Sequence, residues 1–443
     1  MFPDTERFRW FEDHARRVIG RCKRAPRRAP NFSEEAATVY VPGGDDKYPS
    51  FWIRDAAMQC RSGLIDGAAM ENMLKVILSF QNGPEWRPLA SGLRVDPWAI
   101  PDHINLPGLG NEEFQRTFPP GACFFPGTYS PTENQGDGSY GLRAAGDDIY
   151  EVVELARLVL DSREKNEAAQ FLKTAVKEIP VIERLDNGMR AMTIDKETGL
   201  CLNRPTDWCA SSFHDGLRPM GKIALTSCLR FRAARTMARF FNLLGQTPGE
   251  EEYLDVAERI SRSVVEHLLL SDGWIMLGSE VDRQPDVWST SMAVYYGVLP
   301  NNEARQACEA MFRTYRDGTV AASGYLRHTP TTADVIPGKQ VWEHGDGGSW
   351  GGQYGTYQAG GYWPQPLGYY AYALNKVAPD AARDIAVEFI EHTRGLANDG
   401  APFEWINPVI PLEETPGLGR WYGPSAALPL EGFRRLSRGR DSR

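Results

Sequence analysis

The sequence lacks the features that mark membrane-spanning, secreted or nucleic-acid-binding proteins. No apolar run approaches the roughly 18 residues of a transmembrane helix, and the first residues contain no apolar segment followed by a small-residue cleavage site. Basic residues are outnumbered, with 49 Lys and Arg against 58 Asp and Glu and a net charge of −9. Nucleic acids and anionic membrane surfaces both favour basic proteins, so we expect neither as a partner.

Paired cysteines and common nucleophile motifs are also missing. The seven cysteines are scattered, odd in number and without a CxxC pair, which favours free thiols in a reducing compartment over disulfides or a zinc site. There is no HExxH, GxSxG or P-loop, and no GxGxxG between a strand and a helix, so zinc protease, serine hydrolase and nucleotide-binding functions find no support. We expect a cytoplasmic protein without a metal or cofactor.

Helical periodicity dominates what is present. Apolar residues recur every 3.6 positions, and no convincing run of alternating strand residues is found. The pattern predicts one all-α domain over residues 1–443 with twelve helices. Their expected ranges are 4–19, 55–65, 67–81, 147–161, 165–186, 219–245, 248–270, 289–298, 302–314, 366–377, 380–394 and 424–437.

The connections between these helices alternate in length. Those after even-numbered helices have about one to four residues, and those after odd-numbered helices roughly 18 to 65, although long irregular loops are uncommon unless they have a function. Antiparallel helices arranged in a ring would place all short turns on one rim and all long loops on the other. The sequence therefore predicts an (α/α)6 toroid of six helical hairpins. A generic bundle with long loops is the alternative, whereas a solenoid would show repeats, which are absent.

The tryptophans follow the same division. Of 12 tryptophans, only Trp10 lies away from the long loops. The others are Trp52, Trp86, Trp98, Trp208, Trp274, Trp288, Trp342, Trp350, Trp363, Trp405 and Trp421. Aromatic rings gathered at one rim beside glycine-rich backbone indicate a cleft that stacks on flat apolar faces, such as those of pyranose rings. The alternative is that the rings only cover the loops against solvent.

Two carboxylates in different long loops fit the chemistry of sugar hydrolysis. That reaction needs an acid to protonate the leaving oxygen and a carboxylate to activate water or attack carbon. Asp207 is the candidate general acid because its neighbour Trp208 is apolar, and an apolar neighbour raises a carboxyl pKa. Glu404, between Phe403 and Trp405, is the candidate general base.

Other carboxylates leave alternatives open. Glu133 and Asp137, in the second long loop, replace Asp207 as candidate acid if Asp207 does not have that role. The pair Asp147 and Asp148 most simply caps the fourth helix and complements its dipole.

Further loop residues are candidates for binding the sugar. Arg54 and Asp55 follow Trp52 where the second helix begins, and together they could hold two hydroxyls of one ring. Alternatively, Asp55 only caps the helix and Arg54 forms a surface ion pair. Gln358 and Trp363 lie in a loop rich in glycine and aromatic residues, which would allow a ligand to approach closely.

These segments resemble those of six-hairpin glycosidases with an (α/α)6 barrel, which include glucoamylases, trehalases and family 63 glycosidases. The Trp-Ile-Arg-Asp segment at 52–55 is similar to Trp-x-Arg-Asp of glucoamylases, whose Arg and Asp bind the sugar in the −1 subsite. The segment at 207–208 resembles Gly-Asp-Trp of rhamnosidases, and 358–364 resembles Gln-Asn-Gly-Gly-x-Trp-Pro of neutral invertases. The resemblance implies a general acid between the fifth and sixth helices and a general base, Glu404, between the last two.

Two departures from the pattern are clear. Trehalases and family 63 enzymes place the acid after a tryptophan, whereas here Trp208 is followed by Cys209. The accessory β-sandwich common in the group is also missing, which leaves a bare barrel like that of the small family 63 members that act on glycosylglycerates.

The expected function is hydrolysis of a small glycoside or oligosaccharide with inversion. A sugar isomerase or 2-epimerase on the same barrel is the main alternative, with histidines of the long loops as proton carriers. These are His103, His214, His328 and His344. A glycoside phosphorylase and a catalytically inactive sugar-binding protein are further alternatives. The sequence does not specify the sugar, its anomer or its aglycone. It does not specify the oligomeric state either.

Overall fold

The computed structural model describes residues 5–25, 38–45, 47–88, 94–110, 123–124, 139–140, 146–203, 217, 219–280, 283–332, 355–415 and 417–438. Thirteen α-helices lie within these ranges. They are α1 (Thr5–Cys22), α2 (Ile53–Cys60), α3 (Gly67–Phe80), α4 (Asp148–Asp161), α5 (Lys165–Lys173), α6 (Val181–Ala191), α7 (Ala224–Leu243), α8 (Thr247–His267), α9 (Val287–Tyr296), α10 (Asn301–Arg316), α11 (Leu367–Asn375), α12 (Pro379–Gly395) and α13 (Gly423–Ser437).

Extended structure in the described residues consists of two-residue strands within the connections. These are β1 (Lys23–Arg24), β2 (Val39–Tyr40), β3 (Phe51–Trp52), β4 (Arg87–Pro88), β5 (Arg94–Val95), β6 (His103–Ile104), β7 (Cys123–Phe124), β8 (Ser139–Tyr140), β9 (Ala175–Val176), β10 (Ile179–Pro180), β11 (Leu202–Asn203), β12 (Gly221–Lys222), β13 (Ala321–Ala322) and β14 (Tyr325–Leu326). The largest sheet has the order β3-β6-β7-β8, in which β7 and β8 are parallel and the other pairs antiparallel. Two short 3₁₀ helices cover Ala397–Asp399 and Leu412–Glu414.

Six helices form a closed inner ring. Each packs on the next in the order α2, α4, α7, α9, α11 and α13, and α13 packs back on α2. The other helices lie outside: α3 packs on α4, α8 on α7, α10 on α9 and α11, α12 on α11, and α1 on α12 and α13. This arrangement is the predicted (α/α)6 toroid.

Burial separates inner from outer helices. The outer helix α8 buries one stripe that includes Tyr253, Ile260 and Val264, whereas most of the inner helix α7 is buried around its circumference. An amphipathic helix packs on one side only, and a helix that is apolar over a wide arc is packed on both. No helix in the described part of the chain has the length and apolarity needed to cross a membrane.

The predicted alternation of connections is confirmed. Short turns at 61–66, 162–164, 244–246, 297–300 and 376–378 each lead from an inner helix to an outer one. Long connections precede α2, α4, α7, α9, α11 and α13. All six inner helices therefore begin at the rim that carries the long loops and end at the rim of short turns.

The prediction of one continuous helix over residues 165–186 is wrong. The structure divides it into α5 and α6, with the antiparallel pair β9–β10 between them. The chain turns at Lys177 and Glu178, whose φ angles are 46° and 69°, a conformation incompatible with a right-handed helix. Pro180 precedes α6 and lacks the N–H that an uninterrupted helix would need.

The inner ring closes through a glycine contact between α11 and α13. A Cβ atom placed on Gly432 would lie 2.3 Å from the Cα atom of Gly368. That distance is too short for any carbon–carbon contact, so the two backbones touch directly and neither position has room for a side chain.

We expect Gly432→Ala to lower the free energy of unfolding by about 1–3 kcal/mol or more, because the added methyl group forces the helices apart. Gly20→Ala is the matched control: Gly20 lies in α1 with no atom near its Cβ position, and alanine should stabilise a helix there by about 0.5–1 kcal/mol. Urea unfolding of both variants measures the difference. Equal stability of the two variants would contradict the close contact.

Candidate active site

Glu404 is a buried carboxylate in the long loop between α12 and α13. It is 3% exposed, and its backbone N–H donates to the Gly419 carbonyl at 2.8 Å. Two donors reach its Oε2 atom: Lys47 Nζ at 2.8 Å and the Tyr48 hydroxyl. No donor among the described residues reaches Oε1. Among the described residues, therefore, side-chain donors hold one carboxylate oxygen in place and leave the other without a donor.

Glycine at position 419 makes room for this carboxylate. A Cβ atom there would lie 2.7 Å from Oε2 and 2.9 Å from the Cβ atom of Glu404. The glycine thus allows the backbone to pass directly behind Glu404, and any side chain would displace the carboxylate.

Asp55 lies close enough to Glu404 for the charge of Glu404 to affect it. It is in the first turn of α2, is 3% exposed and accepts a hydrogen bond from the Tyr422 hydroxyl. The rings of Tyr48 and Tyr422 are 5.7 Å apart, so two adjacent tyrosines connect the two carboxylates. Burial raises the pKa of Asp55 to about 7, and the charge of Glu404 adds to the rise, although Arg54 and the Tyr422 hydrogen bond oppose it.

Arg54 forms ion pairs with two other carboxylates. Its guanidinium lies 3.0 Å from Asp147 and 3.5 Å from Asp102, and all three side chains are buried. Burial would raise the pKa of Asp102, but the hydrogen bond from His103 and the charge of Arg54 lower it. Burial and the neighbouring Asp102 raise the pKa of Asp148 well above its usual range. The alternative of a surface ion pair for Arg54 is therefore excluded.

The simplest interpretation of Asp147 and Asp55 as helix caps is wrong. Asp147 occupies the N-cap position of α4 but makes no side-chain capping hydrogen bond, because its carboxylate faces Arg54 instead. Asp55 is inside α2, whose N-cap is Trp52. Both carboxylates instead bond to side chains at the rim of long loops, Asp147 to Arg54 and Asp55 to Tyr422.

Among the candidate rings that the structure describes, Trp52 is the one that remains partly exposed. It stacks on His103 with a centroid distance of 4.4 Å and an interplanar angle of 18°. The pairing of β3 with β6 places the two residues opposite each other. Asp102 contacts Nδ1 of the same imidazole at 2.8 Å, which fixes the ring against the tryptophan.

Three other candidates for sugar binding are fully enclosed. Gln358 is 1% exposed, Trp363 0% and Trp405 1%. Trp363 donates from Nε1 to the Tyr357 carbonyl at 3.1 Å, and Tyr357 contacts both indole rings edge-on. None of the three presents surface to solvent, and their contact with a substrate stays a prediction.

The candidate acid Asp207, its neighbour Trp208 and the substitutes Glu133 and Asp137 lie outside the described residues. The assignment of the general acid therefore remains a prediction from the sequence.

Sequence reasoning missed several residues that the structure places beside the predicted ones. Lys47, Asp102 and Tyr422 were not singled out. Lys47 directly precedes Tyr48 in the segment that leads to Trp52, and Asp102 directly precedes His103. A charged residue directly before a tyrosine or histidine in a long loop was the available signal.

Comparison with solved structures identifies proteins of the same architecture. The GH63 mannosylglycerate hydrolase from Thermus thermophilus, in complex with Tris and D-glycerate, is 13% identical with a TM-score of 0.57, over 95% of this chain and 99% of that chain. A rhamnosidase from Klebsiella oxytoca with rhamnose bound is 11% identical with a TM-score of 0.58, over 99% of this chain and 66% of that chain.

The chain has the fold of six-hairpin glycosidases. A GH78 family rhamnosidase of Bacillus sp. GL1 also matches, with 10% identity and a TM-score of 0.53 over 98% of this chain and 35% of that chain. No family model matches the sequence, and no curated protein matches it. The predicted resemblance is thus confirmed at the level of the fold.

We expect Asp55 to make stability depend on pH. The folded protein keeps the proton of Asp55 up to about pH 7, whereas the unfolded chain releases it near pH 4. The free energy of unfolding of the wild type, relative to Asp55→Asn, should therefore fall as pH rises from about 4 to about 7, by roughly 4 kcal/mol in total.

Urea unfolding of both proteins at several pH values measures this difference. Asp255→Asn, at an exposed position of α8, is the control and should follow the wild type. A constant difference between wild type and Asp55→Asn across this pH range would show that Asp55 titrates normally in the folded state.

Proposed function

We propose that the chain, residues 1–443, is a glycoside hydrolase that cleaves a glycosidic bond of a small glycoside or oligosaccharide with inversion. The observation that carries this proposal is the geometry of Glu404. Lys47 and Tyr48 hold one of its oxygens, and no other described residue donates to the second oxygen. This carboxylate lies at the long-loop rim of a toroid with a glycosidase fold.

Glu404 is the proposed general base. Its Oε1 atom accepts a proton from a water molecule, and the water oxygen then attacks the anomeric carbon. In the same step, Asp207 gives its proton to the glycosidic oxygen as the bond from that oxygen to the anomeric carbon breaks. The reaction leaves Glu404 protonated and Asp207 ionised, and proton exchange with solvent restores both.

Lys47 and Tyr48 position the base. Two donors on Oε2 fix the orientation of the carboxylate, so that Oε1 points to one place. Such pre-organisation matters because a small misplacement of a catalytic group costs a large factor in rate. Asp55, whose pKa is about 7, can accept or donate a hydrogen bond to a sugar hydroxyl at neutral pH.

The remaining pocket residues fit the binding of a sugar ring. Trp52 supplies a partly exposed flat face, backed by His103. Arg54 holds Asp102 and Asp147 in place, which orients acceptors for hydroxyl groups. One fold match that extends over nearly the whole length of both chains is to an enzyme named as a mannosylglycerate hydrolase, which supports a small glycoside as substrate.

We expect Glu404→Gln and Asp207→Asn each to lower kcat by about 10²–10⁴-fold, the usual contribution of a general base or acid. Glu413→Gln, at an exposed position of the same loop as Glu404, should keep full activity. The assay screens aryl glycosides and short oligosaccharides, with the anomer of the first product read by NMR. Circular dichroism and thermal unfolding check that each variant is folded. Normal activity of either catalytic variant would contradict its role.

A sugar isomerase or 2-epimerase is the second candidate, supported by two histidines of the long loops. His103 stacks on Trp52 beside Asp102, and His328 stacks on Trp288 at 4.5 Å. A carboxylate beside an imidazole fixes the tautomer needed for proton transfer. Conversion of a free sugar into an isomer of unchanged mass, lost in His103→Gln but kept in Glu404→Gln, would favour this function over hydrolysis.

A further inference from the structure

The rim of short turns holds a cavity at the opposite end of the toroid from Glu404. Its volume is about 920 Å³, within the range of small-molecule sites. Eight arginines and two glutamates are among the residues that line it. The whole chain carries a net charge of −9, whereas the charged side chains that line this cavity are mostly positive.

The floor of the cavity contains two buried arginines that meet at one hydroxyl. Arg61 Nη2 and Arg232 Nη1 donate to the Tyr296 hydroxyl at 2.8 and 2.9 Å. Glu431 lies 2.6 Å from Arg61, and Glu151 lies 3.0 Å from Arg232. The Nε and Nη1 atoms of Arg61 find no acceptor among the described residues. Carboxylates therefore balance the charge of the two arginines at the floor, but two buried N–H groups of Arg61 have no acceptor among the described residues.

The mouth of the cavity has more positive than negative charge. The inner helix α7 contributes Arg235 and Arg239, and Asp161 pairs with Arg239 at 2.8 Å. The last turn of α13 contributes Arg434 and Arg435, and Arg438 directly follows the helix.

Carboxylates neutralise only part of the positive charge of these arginines. Glu12 pairs with Arg434, and Glu154 and Asp161 both pair with Arg157. Within the described part of the chain, Arg235 and Arg438 have no ion pair. Their guanidinium groups are available to a ligand.

Helix dipoles explain only part of this cluster. Cations near the C-terminus of a helix are favoured by its dipole, and the effect is confined to the last turn. The arginines of α13 satisfy that rule. Arg232 and Arg235 do not, because α7 continues to Leu243. Something other than the end of the helix is needed to account for arginines at these positions.

We propose that this cavity binds a small organic anion that carries two or more phosphate groups. Guanidinium groups bind phosphate oxygens in pairs and with defined geometry. Several of them around one cavity favour a ligand with several negative charges. The partly exposed ring of Tyr296 also lines the cavity and offers aromatic surface to the organic part. A cavity of this volume favours a small molecule over a macromolecular partner.

Isothermal titration calorimetry of the full chain with inorganic tripolyphosphate tests the proposal, with inorganic phosphate and sulfate as weaker comparison anions. We expect saturable binding of one tripolyphosphate per chain that weakens as salt increases, since the contacts are ionic. The double variant Arg235→Gln, Arg438→Gln should bind at least tenfold more weakly. Arg262→Gln, at an exposed position of α8, is the matched control and should bind like the wild type.

Three results would overturn the proposal. They are the absence of saturable tripolyphosphate binding by the wild type, equal weakening in Arg262→Gln and the double variant, and binding to phosphatidylserine vesicles without binding of tripolyphosphate. Thermal unfolding of each variant checks that the fold is intact. None of these measurements depends on glycosidase activity, so the outcome is independent of the proposed function.

Discussion

Closure of the inner helical ring is the constraint on which the rest of the structure depends. The last helix, α13, packs on both α11 and α2, so the end of the chain returns to a segment near its start. Once the ring is closed, every inner helix must begin at the same rim, and the long loops meet there. This closure brings Lys47 within 2.8 Å of Glu404 although 357 residues separate them in sequence.

The common direction of the inner helices also separates charge between the two rims. Helix N-termini favour negative groups and helix C-termini favour positive ones. Buried carboxylates such as Asp55 and Asp148 lie near helix starts, and arginines of α13 lie at its end. The inner helix α2 spans only Ile53–Cys60, about 12 Å at 1.5 Å per residue. Asp55 in the candidate active site and Arg61 in the basic cavity are therefore joined by less than two helical turns.

Much of this architecture could be predicted from the sequence, because helix periodicity and loop length are local properties. The alternation of short and long connections led directly to the toroid. The break at 174–180 was missed although Pro180 marked it. The site was predicted in part: Glu404 and Asp55 stood out by their aromatic neighbours, but the ion pairs of Arg54 with Asp102 and Asp147 join three separate segments. Nothing local in the sequence specifies such a pairing.

The central claim is that a general acid in the middle of the chain faces Glu404 across one sugar-binding cleft. A crystal structure that resolves the loop between α6 and α7 tests this most directly through the distance between the carboxyl groups of Asp207 and Glu404. An inverting hydrolase requires about 6.5–9.5 Å, which is the result we predict, and a separation of about 15 Å or more would contradict the account.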